Sequence, residues 1–261
     1  MKSVWTAIVA AFSTFSVIPT PRICWDRYSL KGVLCALPLV GALIGGACCL
    51  CYWLSTLLEL PAILTATALT VLPIALSGGI HMDGFADTVD ALSSHADAEK
   101  KRAILKDPHA GAFAIIGVGC YLLSVFGLLC ALPLDWKTVG LYAITHVLAR
   151  AVGALAGAAL RPSVPEGMLK TFHDAAGKRS IVLLVVWIAL SLAGMAALAP
   201  LSAALCALAG LMTFLWVRRT AYRQFSGMSG DLAGCCITLA SAAMLLALVL
   251  SERIGSLWFW F

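Results

Sequence analysis

The sequence predicts an all-α, polytopic integral membrane protein, a single membrane-embedded domain over residues 1–261. About seven transmembrane helices are expected, preceded by a short N-terminal helix. Three observations predict this class. The chain is 61% hydrophobic and only 12% charged, where a soluble domain carries about twice that charge. The apolar residues fall in blocks of membrane-crossing length, without the strand alternation of a β-barrel. Basic residues gather in every second loop, as a multi-pass topology with a positive inner side requires. Backbone in hydrocarbon must satisfy its own hydrogen bonds, so the spans are helices.

Residues 4–18, VWTAIVAAFSTFSVI, are apolar but short. Three readings stand: a span, an interfacial helix or a signal peptide. No A-x-A-like site precedes PTPR, which favours a retained helix. Spans then follow at about 32–55, 61–80, 111–132, 138–160, 180–198, 201–217 and 232–250. The C-terminal LWFWF reads as an interfacial aromatic anchor. Gly41 and Gly45, and Gly153 and Gly157, form GxxxG pairs that let helices approach closely, a packing feature of the bundle; a homo-oligomer stays open. Most of the 10 cysteines lie inside apolar spans, where cysteine acts as a small hydrophobe. They do not read as a disulfide framework.

Arg22, Arg27 and Lys31 precede the first long span, and Lys100, Lys101, Arg102 and Lys106 follow the second. Arg161, Lys170, Lys178 and Arg179 follow the fourth, and Arg218, Arg219 and Arg223 the sixth. The alternate loops carry almost no basic residue. The loops at 19–31, 81–110, 161–179 and 218–231 therefore face the cytoplasm. The formal net charge of +5 is partly this topology signal. It calls for no nucleic-acid partner and leaves charge available for an anionic substrate.

Chemistry concentrates in two of those loops. In GGIHMDGFADTVDAL (78–92), Asp83, Asp87 and Asp90 have the i, i+4, i+7 spacing of one helical face. Three like charges on one face need a neutralising partner. Magnesium (Mg2+), which takes carboxylates, waters and phosphate oxygens, is suited to the task. The plain alternative is a solvated acidic loop with Asp83 as a helix N-cap. His81 is open to reading as a ligand, a general base, a substrate donor or a hydrogen-bonded helix-end histidine. Gly78 and Gly79 allow a turn at the membrane surface.

In HADAEKKRAILKDPHAG (95–111), Asp97 reads as an N-cap for a helix of roughly ten residues. Its Lys100, Lys101 and Arg102 form a solvated, headgroup-facing side. Asp107 is either a cap or a ligand. In RQFSGMSGDLAG (223–234), Gly227, Ser229 and Gly230 lead into Asp231 and a long apolar helix. Such a loop presents backbone N–H groups to phosphate. Asp231 caps that helix or shares the metal, and Arg223 is a candidate phosphate partner. Arg150 lies within a span, one turn after His146. Intramembrane charge of this kind faces the bundle interior and is functional by default.

Together these residues resemble the adenosylcobinamide-GDP ribazoletransferase (cobalamin-5′-phosphate synthase) family. That family shows G-G-x-H-x-D-G-x-x-D-x-x-D-G, matched here by Gly78, Gly79, His81, Asp83, Gly84, Asp87 and Asp90, with Ala91 departing. KDPHAGAFAIIG keeps Asp107 and Gly111 of a second motif, with Pro108 for serine. RQFSGMSGDLAG keeps Arg223, Gly227, Gly230 and Asp231 of a third, with Ser226 and Ser229 for glycine and threonine. FSVIPTP, LPLVG and Arg150 agree more loosely.

The resemblance implies a magnesium-dependent transfer in vitamin B12 nucleotide-loop assembly. α-Ribazole or its 5′-phosphate is joined to adenosylcobinamide-GDP, GMP is released, and adenosylcobalamin or its 5′-phosphate forms. It implies metal ligands at Asp83, Asp87 and Asp90, with Asp231 or Asp107 as additions. His81 or one aspartate would orient or deprotonate the attacking hydroxyl. Arg150 and Arg223, with Gly227 and Gly230, would bind substrate. Two alternatives stand beside it. A CDP-alcohol phosphotransferase also places aspartates at a membrane surface, but its arginine is replaced here by Thr88. A cation transporter would hold its acids near mid-membrane.

Overall fold

The structure, a computed structural model, describes residues 2–22, 30 and 32–258. Cys24, Arg27, Lys31 and the aromatic residues 259–261 lie outside them. Eleven α-helices build the described chain: α1 (Lys2–Phe15), α2 (Val33–Leu57), α3 (Ala62–Leu76), α4 (Ile80–Ser93), α5 (Ala98–Ile104), α6 (Ala112–Ala131), α7 (Trp136–Ala159), α8 (Met168–Ala175), α9 (Lys178–Leu198), α10 (Pro200–Gln224) and α11 (Gly230–Trp258). The chain is a polytopic helical membrane protein. Among the described residues, α2, α6, α7, α9, α10 and α11 are each long and apolar enough to cross, and α3 with α4 makes up to a seventh. Helix α1 is shorter, as its length in sequence suggests. The nine described cysteines are free.

Burial sorts these helices into a centre and a rim. Helix α7 is the centre: Thr145, His146, Ala149, Arg150, Gly153 and Ala156 are all buried. The rim helices α6 and α9 expose Ile115, Leu123, Val182 and Leu190. These are large apolar side chains that only lipid accommodates in such number. Helix α2 packs along α7 through Gly41 and Gly45, whose faces lie against the backbone of His146 and Ala143. A Cβ on Gly45 would sit 2.5 Å from the Ala143 carbonyl oxygen, and backbone cannot yield as a side-chain tip does. Gly45→Leu is therefore expected to destabilise the bundle by about 1–3 kcal/mol or more. Thermal unfolding in detergent measures it; an unchanged midpoint would contradict the close approach.

The expected span at 61–80 ends early. Helix α3 has 15 residues, about 22 Å at 1.5 Å per residue, short of the ~30 Å hydrocarbon core. It stops at Ser77, and the chain then bends by 91° into α4. Gly78 and Gly79 make that turn with φ of +64° and +74°, a region costly for residues with a Cβ. The acid-bearing segment is consequently not a surface loop. It is a helix docked into the bundle, with His81, Gly84, Phe85, Thr88 and Ala91 buried.

Asp97 caps α5 as expected, accepting from Lys100 N at 2.9 Å. The helix is shorter than expected, seven residues. Its basic side also needs correction. Lys101 is buried, and its Nζ donates to Gln224 Oε1 at 2.5 Å. Arg102 Nη1 donates to the Phe225 carbonyl at 3.2 Å. These two cations pin α5 to the end of α10 instead of facing headgroups.

Candidate active site

Helix α4 has two chemical faces because an α-helix turns about 100° per residue. His81 lies about 200° from Asp83 on that wheel. The structure follows it: His81 is buried, Asp83 is exposed, and Asp87 and Asp90 are half-buried. His81 stacks on Phe15 at 5.8 Å between ring centroids. It is thus separated from the acids that the sequence placed beside it.

The acids of α4 meet Asp231, from the first turn of α11. Gly84 is the contact point. A Cβ there would lie 2.7 Å from Asp231 O and 2.8 Å from its Cα, so only glycine lets the two backbones meet. Thr238 Oγ1 donates to the His81 carbonyl at 3.1 Å and fastens the same pair one turn further along. Asp87 consequently feels the charges of Asp83, Asp231 and Asp90, and Asp231 feels that of Asp83. No ion pair among the described residues includes any of these four aspartates. Asp90 Oδ1 accepts from Ala114 N at 3.4 Å, with Gly111 tight against its carboxylate.

The side chains are neighbours but not closed around a point. Among the described residues no three His, Cys, Asp or Glu side chains form a ready metal cage. The donor set nonetheless suits magnesium. It is all carboxylate oxygen, it carries uncompensated negative charge, and magnesium commonly takes only one or two carboxylates besides waters and substrate phosphate. Asp107 stands apart. It is exposed, its Oδ1 accepts from His109 N at 2.9 Å and meets His109 Nδ1 at 2.8 Å. The His109 backbone and ring bonds hold its carboxyl below the ordinary aspartate range. Its charge is not among those acting on Asp87.

Asp231 also borders a cleft of about 250 Å³, with Ser229 and Gly230 on one wall and Arg102, Lys106 and Lys170 among the other lining residues. Lys170 additionally pairs with Asp174 one turn along α8. These three cations were legible as topology and surface charge; their place in a cleft depends on how α5, α8 and α11 meet. Arg223, the expected phosphate partner, is exposed and does not line this cleft.

The glycine-rich turn is used differently from the expectation. Ser226 and Gly227 have φ of +61° and +151°. Gly227 N donates to Ala221 O at 2.9 Å and Met228 N to Arg161 O at 2.8 Å. Gly227 also packs against the Pro162–Ser163 backbone. The Gly227 N–H closes the end of α10, the Met228 N–H holds the loop to Arg161, and neither is free for phosphate. Ser229, not Asp231, caps α11, its Oγ accepting from Leu232 N at 3.1 Å. Gly230 has open space around it and faces the cleft. Arg150 lies elsewhere, buried in α7 beside His146, and lines a half-open chamber with His81.

Comparison with known proteins adds the family. Residues 7–249 match the model of the family described as cobalamin-5-phosphate synthase. A Lachnoclostridium phytofermentans protein named adenosylcobinamide-GDP ribazoletransferase is 38% identical over 97% of this chain and 95% of its own. Proteins of the same name from Pseudomonas paraeruginosa and Clostridium perfringens are 35% and 31% identical, covering 90% and 92% of this chain and 91% and 95% of theirs. No solved structure matches. A family match of this extent, over a chain whose aspartates and cleft meet at one end of the bundle, decides against the CDP-alcohol and transporter alternatives: the chain belongs to the cobalamin-5-phosphate synthase family.

Proposed function

We propose that the protein joins α-ribazole, or its 5′-phosphate, to adenosylcobinamide-GDP with release of GMP, in a magnesium-dependent step at the cytoplasmic face of the bacterial inner membrane. The observation that carries this reading is the four-aspartate face, which meets through Asp231 a cleft that Arg102, Lys106 and Lys170 line beside Glu166. It offers carboxylates for a divalent cation and ammonium and guanidinium groups for a diphosphate, side by side.

In this reading the cleft receives the GDP-linked substrate. Lys106 and Lys170 pair with the diphosphate, and Arg102, already anchored to Phe225, adds a fixed positive charge. Asp83, Asp87 and Asp231 would hold magnesium, with Asp90 behind them. The bound ion supplies charge neutralisation at the phosphate oxygens and at the departing GMP. The ribazole hydroxyl oxygen forms a bond to the phosphorus joined to the corrinoid as the bond to GMP breaks. A carboxylate of the acidic face takes the hydroxyl proton, because His81 lies on the opposite side of α4.

The test is GMP release by the purified protein from adenosylcobinamide-GDP, with each acceptor supplied in turn. Release is expected with magnesium and not after chelation. No release with either acceptor would overturn the reading. Neutralising the cleft gives a second expectation. Lys106→Ala and Lys170→Ala should each raise KM for adenosylcobinamide-GDP about tenfold, the worth of one charged hydrogen bond. A KM unchanged in both would remove the cleft from the substrate path.

A further inference from the structure

The pocket around Arg150, a half-open chamber between the helices, shares no lining residue with the cleft and asks for a ligand of its own. It has a volume of about 40 Å³ and is lined by Arg150, His146, His81, Tyr142, Tyr121 and Thr238, among others. Arg150 is 3% exposed, His146 3% and His81 6%. The guanidinium keeps its charge wherever it is buried, and a buried charge requires a counter-charge. None of the ion pairs among the described residues includes it. The ionisable groups acting on it most strongly are Tyr121, Cys48 and Tyr142, none of them a carboxylate.

Hydrogen bonding leaves the same gap. Arg150 Nη1 donates to the His146 carbonyl at 3.2 Å, but Arg150 Nε, His146 Nδ1 and His81 Nε2 are buried without a partner among the described residues. His146 Nε2 lies 4.0 Å from Cys48 Sγ. With the thiol donating to Nε2, the tautomer carries its proton on Nδ1. Two of the nearby hydroxyls are already committed: Tyr142 donates to Leu69 O and Thr238 to His81 O. The chamber thus gathers unspent donors around a fixed positive charge.

We propose that this chamber binds a small monovalent anion of the halide class, held by the Arg150 guanidinium with His146 and His81 donating beside it. Size selects the class. A water-sized sphere needs roughly 10–15 Å³ of such space, so the chamber takes a halide with one or two waters. A phosphate bearing a sugar and a corrinoid does not fit. The anion is a structural counter-ion of the bundle centre, and the assignment does not depend on the reaction proposed above.

The test uses the purified protein in detergent, in gluconate buffer at constant ionic strength. Replacing gluconate by chloride or bromide should raise the unfolding midpoint saturably by about 2–4 °C, as for any ligand of the folded state. Sulfate should not do so, and Arg150→Met should flatten the response. Should Arg150→Met fail to fold, bromide anomalous diffraction from wild-type crystals decides, with a peak expected beside Arg150. An equal response to sulfate, a midpoint moved only by adenosylcobinamide-GDP, or no bromide peak in the chamber would each overturn the proposal.

Discussion

Asp87→Asn is expected to lower magnesium-dependent GMP release about a thousandfold while leaving the fold intact. Asp87 is half-buried at the middle of the acidic face, with Asp83, Asp90 and Asp231 all acting on it. Asparagine keeps its shape and removes one negative charge where charge is crowded, so stability should hold or rise. What is lost is a carboxylate for the cation. Cation stabilisation of a phosphoryl transition state is worth several kcal/mol, and about three decades of rate correspond to roughly 4 kcal/mol. The measurement is kcat against magnesium concentration, with the unfolding midpoint followed in parallel. Near-normal turnover at ordinary magnesium would remove Asp87 from the site.

Gly84→Ala is expected to cost about a hundredfold in kcat without touching any reacting group. The added methyl would lie 2.7 Å from Asp231 O, so α4 and α11 must separate. A displacement of about 1 Å between catalytic groups is enough for a loss of that size. Gly234→Ala is the control. Its Cβ would lie 3.2 Å from His81 Cα and O, a tighter contact than usual but a milder one, and a smaller loss is expected. Equal activity in the two variants would show that the Gly84 contact does not set the spacing of the aspartates.

The parts of this arrangement that were legible in the sequence are those carried by local pattern. Apolar blocks located the crossing helices, and the i, i+4, i+7 spacing located the acidic face of α4. The glycine pair announced the bend. What escaped was set by helices far apart in sequence. Lys101 and Arg102 read as surface charge because nothing local says that Gln224 and Phe225 close over them. Gly227 read as a phosphate turn because its packing against Pro162–Ser163 is tertiary. His81 is the exception. Its separation from Asp83 follows from helical periodicity alone, and proximity in sequence masked it.

The hydrogen bond from Thr238 to the His81 carbonyl joins residues 157 positions apart. Chains are made from the N-terminus, and segments fold as they emerge. The helix carrying the aspartates therefore leaves the ribosome long before α11, the helix that holds it. Until α11 arrives, α4 is a half-polar segment without its partner at the edge of the bilayer. A chain that lacks α11 has neither Asp231 nor the surface that steadies α4, and is expected to be inactive: α11 certifies the acidic face that an earlier helix carries.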